Sequence, residues 1–173
     1  MAEDKLFATL DPVTRRLRLP TGEVVLLTDT VGFIQKLPTD LVAAFRATLE
    51  ELAEADLLLH VIDISHANAF EQTRSVEDTL TELGVADRPT LLALNKVDLL
   101  RDEDGHQVAD YDEARAVIQG AGAPPPNVAI VSAEKRWGLD ALLRRIEAGL
   151  EGEFGEAATT SPFFDSPRLN GER

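Results

Sequence analysis

The chain has no cysteine among its 173 residues, which excludes disulfide bonds, disulfide-linked partners, thiolate metal sites and cysteine nucleophiles. Aromatic residues are also scarce, with one Trp and one Tyr, so we expect no stacking platform for single-stranded nucleic acid. Lys and Arg number 17 against 31 Asp and Glu, which gives a formal net charge of −14. Because a phosphate backbone repels so acidic a chain, direct DNA binding is not expected.

Long hydrophobic runs are missing as well. No apolar stretch is long enough to span a bilayer, and Met1 is followed by Ala-Glu-Asp-Lys rather than by a basic region and an apolar core. We therefore expect neither a membrane span nor a secretory signal. The hydrophobic content of 44% is typical of a globular domain, and the length predicts a single one. These features together predict a cytoplasmic domain.

The hydrophobic pattern alternates between strands and helices. Residues 17–27 predict a β-hairpin around a turn at 20–23, and the runs 57–62, 90–94 and 128–131 predict buried parallel strands. Helical spacing links Leu41, Phe45, Leu49 and Leu52 after a candidate N-cap at Thr39, and then Val76, Leu80 and Leu83 before Gly84. Further helices are predicted at 111–119 and, from its leucine spacing, at 139–150.

Alternating strands and helices predict an α/β fold with a mostly parallel sheet and flanking helices. Residues 98–110 form a charged loop in this interpretation. From residue 151 the sequence loses its periodicity, so we divide the chain into a domain at 1–150 and a disordered tail at 151–173. Ligands of such sheets bind at the carboxyl ends of the strands, which directs attention to the polar residues there.

The hairpin ends in Asp29-Thr30-Val31-Gly32. An Asp at a strand end can hold a metal-bound water, and Gly lets a backbone N–H approach a phosphate oxygen. The pattern suits a phosphate and Mg²⁺ site, although an ordinary turn has the same composition.

The strand 90–94 is followed by Asn95-Lys96-Val97-Asp98. The Asp carboxylate can accept both the N1–H and the N2 amino group of guanine, and adenine cannot offer that pair of donors. The Asn can support the loop, while the aliphatic stem of Lys can cover the base. This motif favours a guanine site over an ordinary polar loop.

Two further segments fit the same chemistry. Ser132-Ala133-Glu134 follows the next predicted strand, where backbone N–H groups can donate to guanine O6. Near the start, Thr9 lies within Phe7-Ala8-Thr9-Leu10-Asp11, and its hydroxyl is a candidate Mg²⁺ ligand on a loop that senses a γ-phosphate. Neither segment is specific by itself.

Together these four segments resemble the G2, G3, G4 and G5 boxes of a translation-factor-type GTPase. The flanking words AEDKLFATLDP, LLTDTVGF, AFRATLEE and ADLLLHVID resemble the HflX family of ribosome-associated GTPases over residues 2–150, and they disfavour the related Obg group. The resemblance implies a P-loop-NTPase-like G domain that binds GTP with Mg²⁺, hydrolyses it to GDP and phosphate, and acts on the large ribosomal subunit. It also implies nucleotide contacts at four places: Phe7, Ala8, Thr9, Leu10 and Asp11; Asp29, Thr30, Val31 and Gly32; Asn95, Lys96, Val97 and Asp98; and Ser132, Ala133 and Glu134. Mg²⁺ is then held by Thr9 directly and by Asp29 through water.

Two features depart from the common GTPase pattern. The sequence contains no GxxxxGK[ST] phosphate loop. In the family, the first strand, the phosphate loop and the first helix precede the segment that matches Ala2. The resemblance therefore implies a G domain that lacks these three elements. We therefore expect residues 1–173 alone to fold poorly and to bind GTP weakly. Phe33 follows Gly32 where many GTPases have a Gln that orients water, so we expect slow hydrolysis that a partner accelerates.

Alternative functions remain open at this point. A non-catalytic module that binds guanine nucleotide or a protein partner, without phosphate binding, also accounts for the missing phosphate loop. His60, His66 and His106 show no metal-ligand spacing, and we interpret them as structural. We assign no catalytic residue.

Overall fold

The computed structural model describes residues 13–30, 52–120 and 123–154. The chain divides into two compact units, residues 1–55 and residues 56–173. Within the described ranges, no helix combines the length and the apolar character needed to cross a membrane.

The described part of the first unit contains a β-hairpin and, at residues 52–54, a short helical segment. Strand β1 (Val13–Arg18) pairs antiparallel with β2 (Val24–Asp29), with Leu17 opposite Val25. Gly22 closes the turn at φ 95°, a left-handed conformation that costs Gly little. The predicted hairpin is confirmed, because alternating side chains and a Pro-Thr-Gly-Glu turn specify this geometry locally.

The second unit contains a parallel sheet of three strands in the order β3, β4, β5: β3 (Leu58–Asp63), β4 (Thr90–Asn95) and β5 (Val128–Ile130). Asp63 is in register with Asn95, and Leu94 with Ile130. The three predicted parallel strands are therefore confirmed.

Three helices connect and flank these strands: α1 (Ala69–Glu82), α2 (Tyr111–Gln119) and α3 (Leu139–Leu150). Helix α1 ends at the predicted Gly84, at φ 71°, where Val85 N–H donates to the Leu80 carbonyl at 3.0 Å. Helix α2 begins at Asp110, whose carboxylate accepts the Glu113 N–H at 2.9 Å. Local capping residues thus set the C-terminal end of α1 and the N-terminal end of α2 at the positions that the sequence predicts.

The core lies between the sheet and two of the helices. Leu94 and Ile130 of the sheet pack with Ala114 and Ile118 of α2 and with Ala69 of α1. Val61 of β3 is 56% exposed, so the expectation of full burial on both strand faces is wrong at this residue. Helix α3 packs chiefly against β4 and β5, which leaves this part of β3 uncovered among the described residues.

Other sequence predictions fall partly outside these ranges. Of the helix predicted after Thr39, the part through Leu49 lies outside the described residues, while Leu52 lies in the helical segment at 52–54. Residues 155–173 of the predicted tail also lie outside the described residues. The first four residues of that tail, 151–154, form a turn in which Phe154 is 8% exposed and lies against Gly149. The ordered chain therefore extends at least to Phe154.

Candidate functional site

The carboxyl ends of the three parallel strands lie side by side. Strand β3 ends at Asp63 and β4 at Asn95, which are in register, and Ser132 follows β5 closely. The parallel direction places all three polar ends at one edge of the sheet, where ligands of α/β folds bind.

The loop after β4 carries the predicted guanine-reading residues. Lys96 adopts a left-handed backbone with φ 64°, and the fully buried Val97 anchors the loop, its N–H donating to the Val131 carbonyl at 3.3 Å. Asp98 is 6% exposed, and its Oδ1 atom has no hydrogen-bond partner among the described residues. An unpaired buried carboxylate oxygen is costly, so this acceptor is available to a ligand's N–H donors.

The loop after β5 lies against this motif. The Ala133 N–H donates to Asn95 Oδ1 at 3.0 Å, which joins two of the four predicted segments. Ser132 is fully buried, and its Oγ accepts the Lys135 N–H at 3.0 Å. Glu134, the last residue of this predicted segment, is exposed.

Gly138 closes the same loop. Its φ is 69°, and a Cβ atom there would lie 2.1 Å from the Ile130 carbonyl oxygen and 2.7 Å from Tyr111 Oη. Tyr111 Oη donates to that same carbonyl at 3.1 Å, which ties helix α2 to the end of β5. The backbone around this loop is therefore packed too tightly for any residue larger than Gly.

An ion pair that the sequence interpretation missed connects β3 to the motif. Lys96 Nζ lies 2.7 Å from Asp63 Oδ2, while Asp63 Oδ1 accepts both the N–H and the hydroxyl of Ser65. Partial burial opposes ionisation of Asp63, but the hydrogen bonds from Lys96 and Ser65 outweigh it and lower the pKa of Asp63. The same hydrogen bond raises the pKa of Lys96. The feature of the sequence that could have indicated this ion pair is an Asp at the end of an otherwise apolar strand.

The remaining predicted residues lie in the first unit or outside the described ranges. Asp29 is exposed at the end of β2, and Thr30 after it is half-buried. Phe7, Ala8, Thr9, Leu10, Asp11, Val31 and Gly32 lie outside the described residues.

The three histidines do not assemble into a site. His66 and His106 are exposed in separate loops. His60 lies in β3, and burial lowers its pKa to about 4, which keeps the imidazole neutral at ordinary pH.

Comparisons with known proteins identify the family of the chain. Residues 1–96 match the family model described as 50S ribosome-binding GTPase. A GTPase HflX of Caldanaerobacter subterraneus is 46% identical over 97% of this chain and 35% of its own length. The GTPase HflX of Escherichia coli is 40% identical over 93% of this chain and 35% of its own length. A crystal structure of SsGBP in complex with GDP superposes with a TM-score of 0.61 and 29% identity, covering 82% of this chain and 43% of that one.

The chain spans about a third of the length of these curated relatives. A third GTPase HflX, from Alkalihalophilus pseudofirmus, is 59% identical over 57% of this chain and 23% of its own length. The match to the family model covers more than half of the chain, and the structural likeness covers 82% of it. The chain therefore belongs to the family of 50S ribosome-binding GTPases and, within it, to the HflX proteins.

Proposed function

We propose that the chain is the guanine-nucleotide-binding part of a molecular switch that hydrolyses GTP to GDP and phosphate and acts on the large ribosomal subunit in the cytoplasm. The family membership supports a GTPase, and the description of the family as ribosome-binding supports the ribosomal partner. The relatives' names support hydrolysis by the complete protein.

The observation that carries this proposal is a carboxylate oxygen of Asp98 that has no hydrogen-bond partner in the described part of the chain. It is buried at the strand ends, beside a loop that the Asn95–Ala133 hydrogen bond holds in place. Asp98 accepts the N1–H and N2 amino group of guanine, Lys96 covers the base with its stem, and residues of the Ser132, Ala133 and Glu134 segment reach O6. Adenine is rejected because it presents no matching pair of donors.

From the sequence resemblance, we further propose that Thr9 and Asp29, with the residues around them, contact the phosphates and Mg²⁺. A hydroxyl and a carboxylate are hard oxygen ligands of the kind that Mg²⁺ prefers, so the side-chain chemistry of Thr9 and Asp29 suits the ion. In the structure, Asp29 is exposed at the end of its strand. Bound Mg²⁺ would neutralise charge on the β- and γ-phosphates. Phe33 cannot orient water by hydrogen bonding, so we propose that the ribosome accelerates an otherwise slow hydrolysis.

The test compares the base specificity of the wild type with that of an Asp98→Asn variant, both as the complete protein that contains these residues. Asp98→Asn exchanges one carboxylate oxygen for an NH₂ donor, which suits the 2-oxo group of xanthine better than the 2-amino group of guanine. We expect the wild type to bind GDP and the variant to lose roughly tenfold or more in GDP affinity while gaining affinity for XDP. Isothermal titration calorimetry measures both constants.

Asp112→Asn provides the matched control, because Asp112 is exposed on helix α2 and the charge change is the same. A wild type that does not bind GDP, or an Asp98→Asn variant with an unchanged preference for GDP, would contradict the proposal. Binding of GDP without hydrolysis of GTP, in the presence and absence of ribosomes, would instead support a non-catalytic module.

A further inference from the structure

The Asp63–Lys96 ion pair lies at the edge of the sheet where Asp98 is buried. Asp63 and Asn95 are in register on adjacent strands, and the Ile64 N–H also donates to the Asn95 carbonyl at 3.1 Å. The end of β3 is thus tied to the Asn95–Asp98 loop through backbone and side chain together. Nothing in the pairing of β3 with β4 requires a charged residue at this position.

The Asp63 carboxylate is held from both sides. Ser65 donates its N–H at 3.1 Å and its hydroxyl at 2.6 Å to Oδ1, which leaves Oδ2 directed to Lys96 at 2.7 Å. Lys96 is equally constrained at its backbone, because a φ of 64° is a conformation that few non-Gly residues adopt. A fixed acceptor and a constrained backbone together define where the lysine side chain lies.

The consequence concerns Asp98, two residues beyond Lys96. Within the residues that the structure describes, one buried carboxylate oxygen of Asp98 has no hydrogen-bond partner. The hydrogen bond and charge of Asp63 raise the pKa of Lys96 most, and the charge of Asp98 raises it further. An ammonium group that was not engaged elsewhere would be drawn to this carboxylate and would compete with any N–H donors of a ligand. In the structure, Lys96 is paired with Asp63 instead.

We propose that Asp63 is a positioning residue of the guanine site, which holds the Lys96 ammonium away from Asp98 and so leaves the Asp98 carboxylate free to accept the base. This inference rests on the function proposed above. Asp63 itself need not touch the nucleotide, since it acts through Lys96.

The energetic scale is modest. Lys96 and Asp63 have side-chain exposures of 52% and 34%, so solvent screens their attraction and the pair contributes little to stability. Asp63→Asn retains the oxygen that Ser65 contacts, but it removes the negative charge and replaces the Oδ2 acceptor of Lys96 with an NH₂ donor. We therefore expect a folded variant whose defect is in ligand affinity rather than in stability.

The experiment is a double-mutant cycle for GDP binding with Asp63→Asn and Lys96→Met in the complete protein. Methionine keeps the aliphatic stem but removes the ammonium. We expect Asp63→Asn to weaken GDP binding roughly threefold, the scale of an exposed ion pair, and to have no effect in the Lys96→Met background, where no cation competes for Asp98. Asp112→Asn is the charge-matched control and should bind GDP like the wild type.

The outcomes separate the two proposals. If the wild type binds GDP, two results overturn the role of Asp63. Asp63→Asn could weaken GDP binding equally in the Lys96 and Lys96→Met backgrounds, or it could leave GDP binding unchanged in both. A wild type without GDP affinity overturns the proposed function, and the role of Asp63 with it. A loss confined to the background that retains Lys96, with unchanged melting temperature, supports the inference.

Discussion

Gly138 is the position where the structure predicts the largest effect of a single methyl group. Its φ of 69° places an added Cβ 2.1 Å from the Ile130 carbonyl oxygen, which is backbone and cannot rotate away. Left-handed backbone costs a non-Gly residue about 1–2 kcal/mol. The overlap adds about 1–3 kcal/mol, and loss of the Tyr111 hydrogen bond to Ile130 adds about 1 kcal/mol.

We therefore expect Gly138→Ala to destabilise the end of β5 and the Ser132 loop by about 3–6 kcal/mol. Gly105→Ala is the matched control, because Gly105 has φ 83° but no atom within 4 Å of the added methyl group. The free energy of unfolding should fall by only about 1–2 kcal/mol in this control, because only the cost of the left-handed backbone applies.

Hydrogen–deuterium exchange of peptides spanning β5 measures the difference locally in the complete protein. Gly138→Ala should accelerate exchange there by roughly 100-fold or more, since about 1.4 kcal/mol corresponds to a factor of ten. Exchange that rises equally little in both variants would refute the steric argument, because the close approach at Gly138 would then carry no cost.

Other predictions follow from burial and from pH. His60 has a folded-state pKa of about 4 against an ordinary value of 6.5, so the unfolded state binds the proton more readily, and stability should be complete above pH 6.5 and fall as the pH drops toward 4. Melting temperature against pH should show this decline in the wild type and in His106→Gln, and a decline that persists unchanged in His60→Leu would contradict it. In the complete protein, Phe154→Ala should lower the free energy of unfolding by about 3 kcal/mol in chemical denaturation, because Phe154 is buried and packs against Gly149. A loss below about 1 kcal/mol would contradict this packing argument. Residues 1–173 expressed alone should melt without cooperativity, and a cooperative melt together with submicromolar GTP affinity would show that this prediction is wrong.

Much of the fold could be predicted because its signals are local. Alternating side chains predict the hairpin, capping residues predict the bounds of α2, and Gly84 predicts the end of α1. Each of these signals lies within a few residues of the feature that it sets. The exposure of Val61 could not be predicted in this way. An apolar run has the same pattern whether or not a helix later covers it, and only the packing of α3 on β4 and β5 distinguishes the two.

The candidate site likewise has some features that the sequence predicts and others that only the tertiary structure sets. The sequence by itself determined which chemical groups are present at the strand ends, and the Asn-Lys-Val-Asp motif was sufficient to predict a guanine site. Tertiary structure alone decided their connections: the hydrogen bond from Ala133 to Asn95, which are 38 residues apart, and the ion pair of Asp63 with Lys96, which are 33 apart. Strand register brings these residues together, and register depends on long-range pairing that no local pattern encodes.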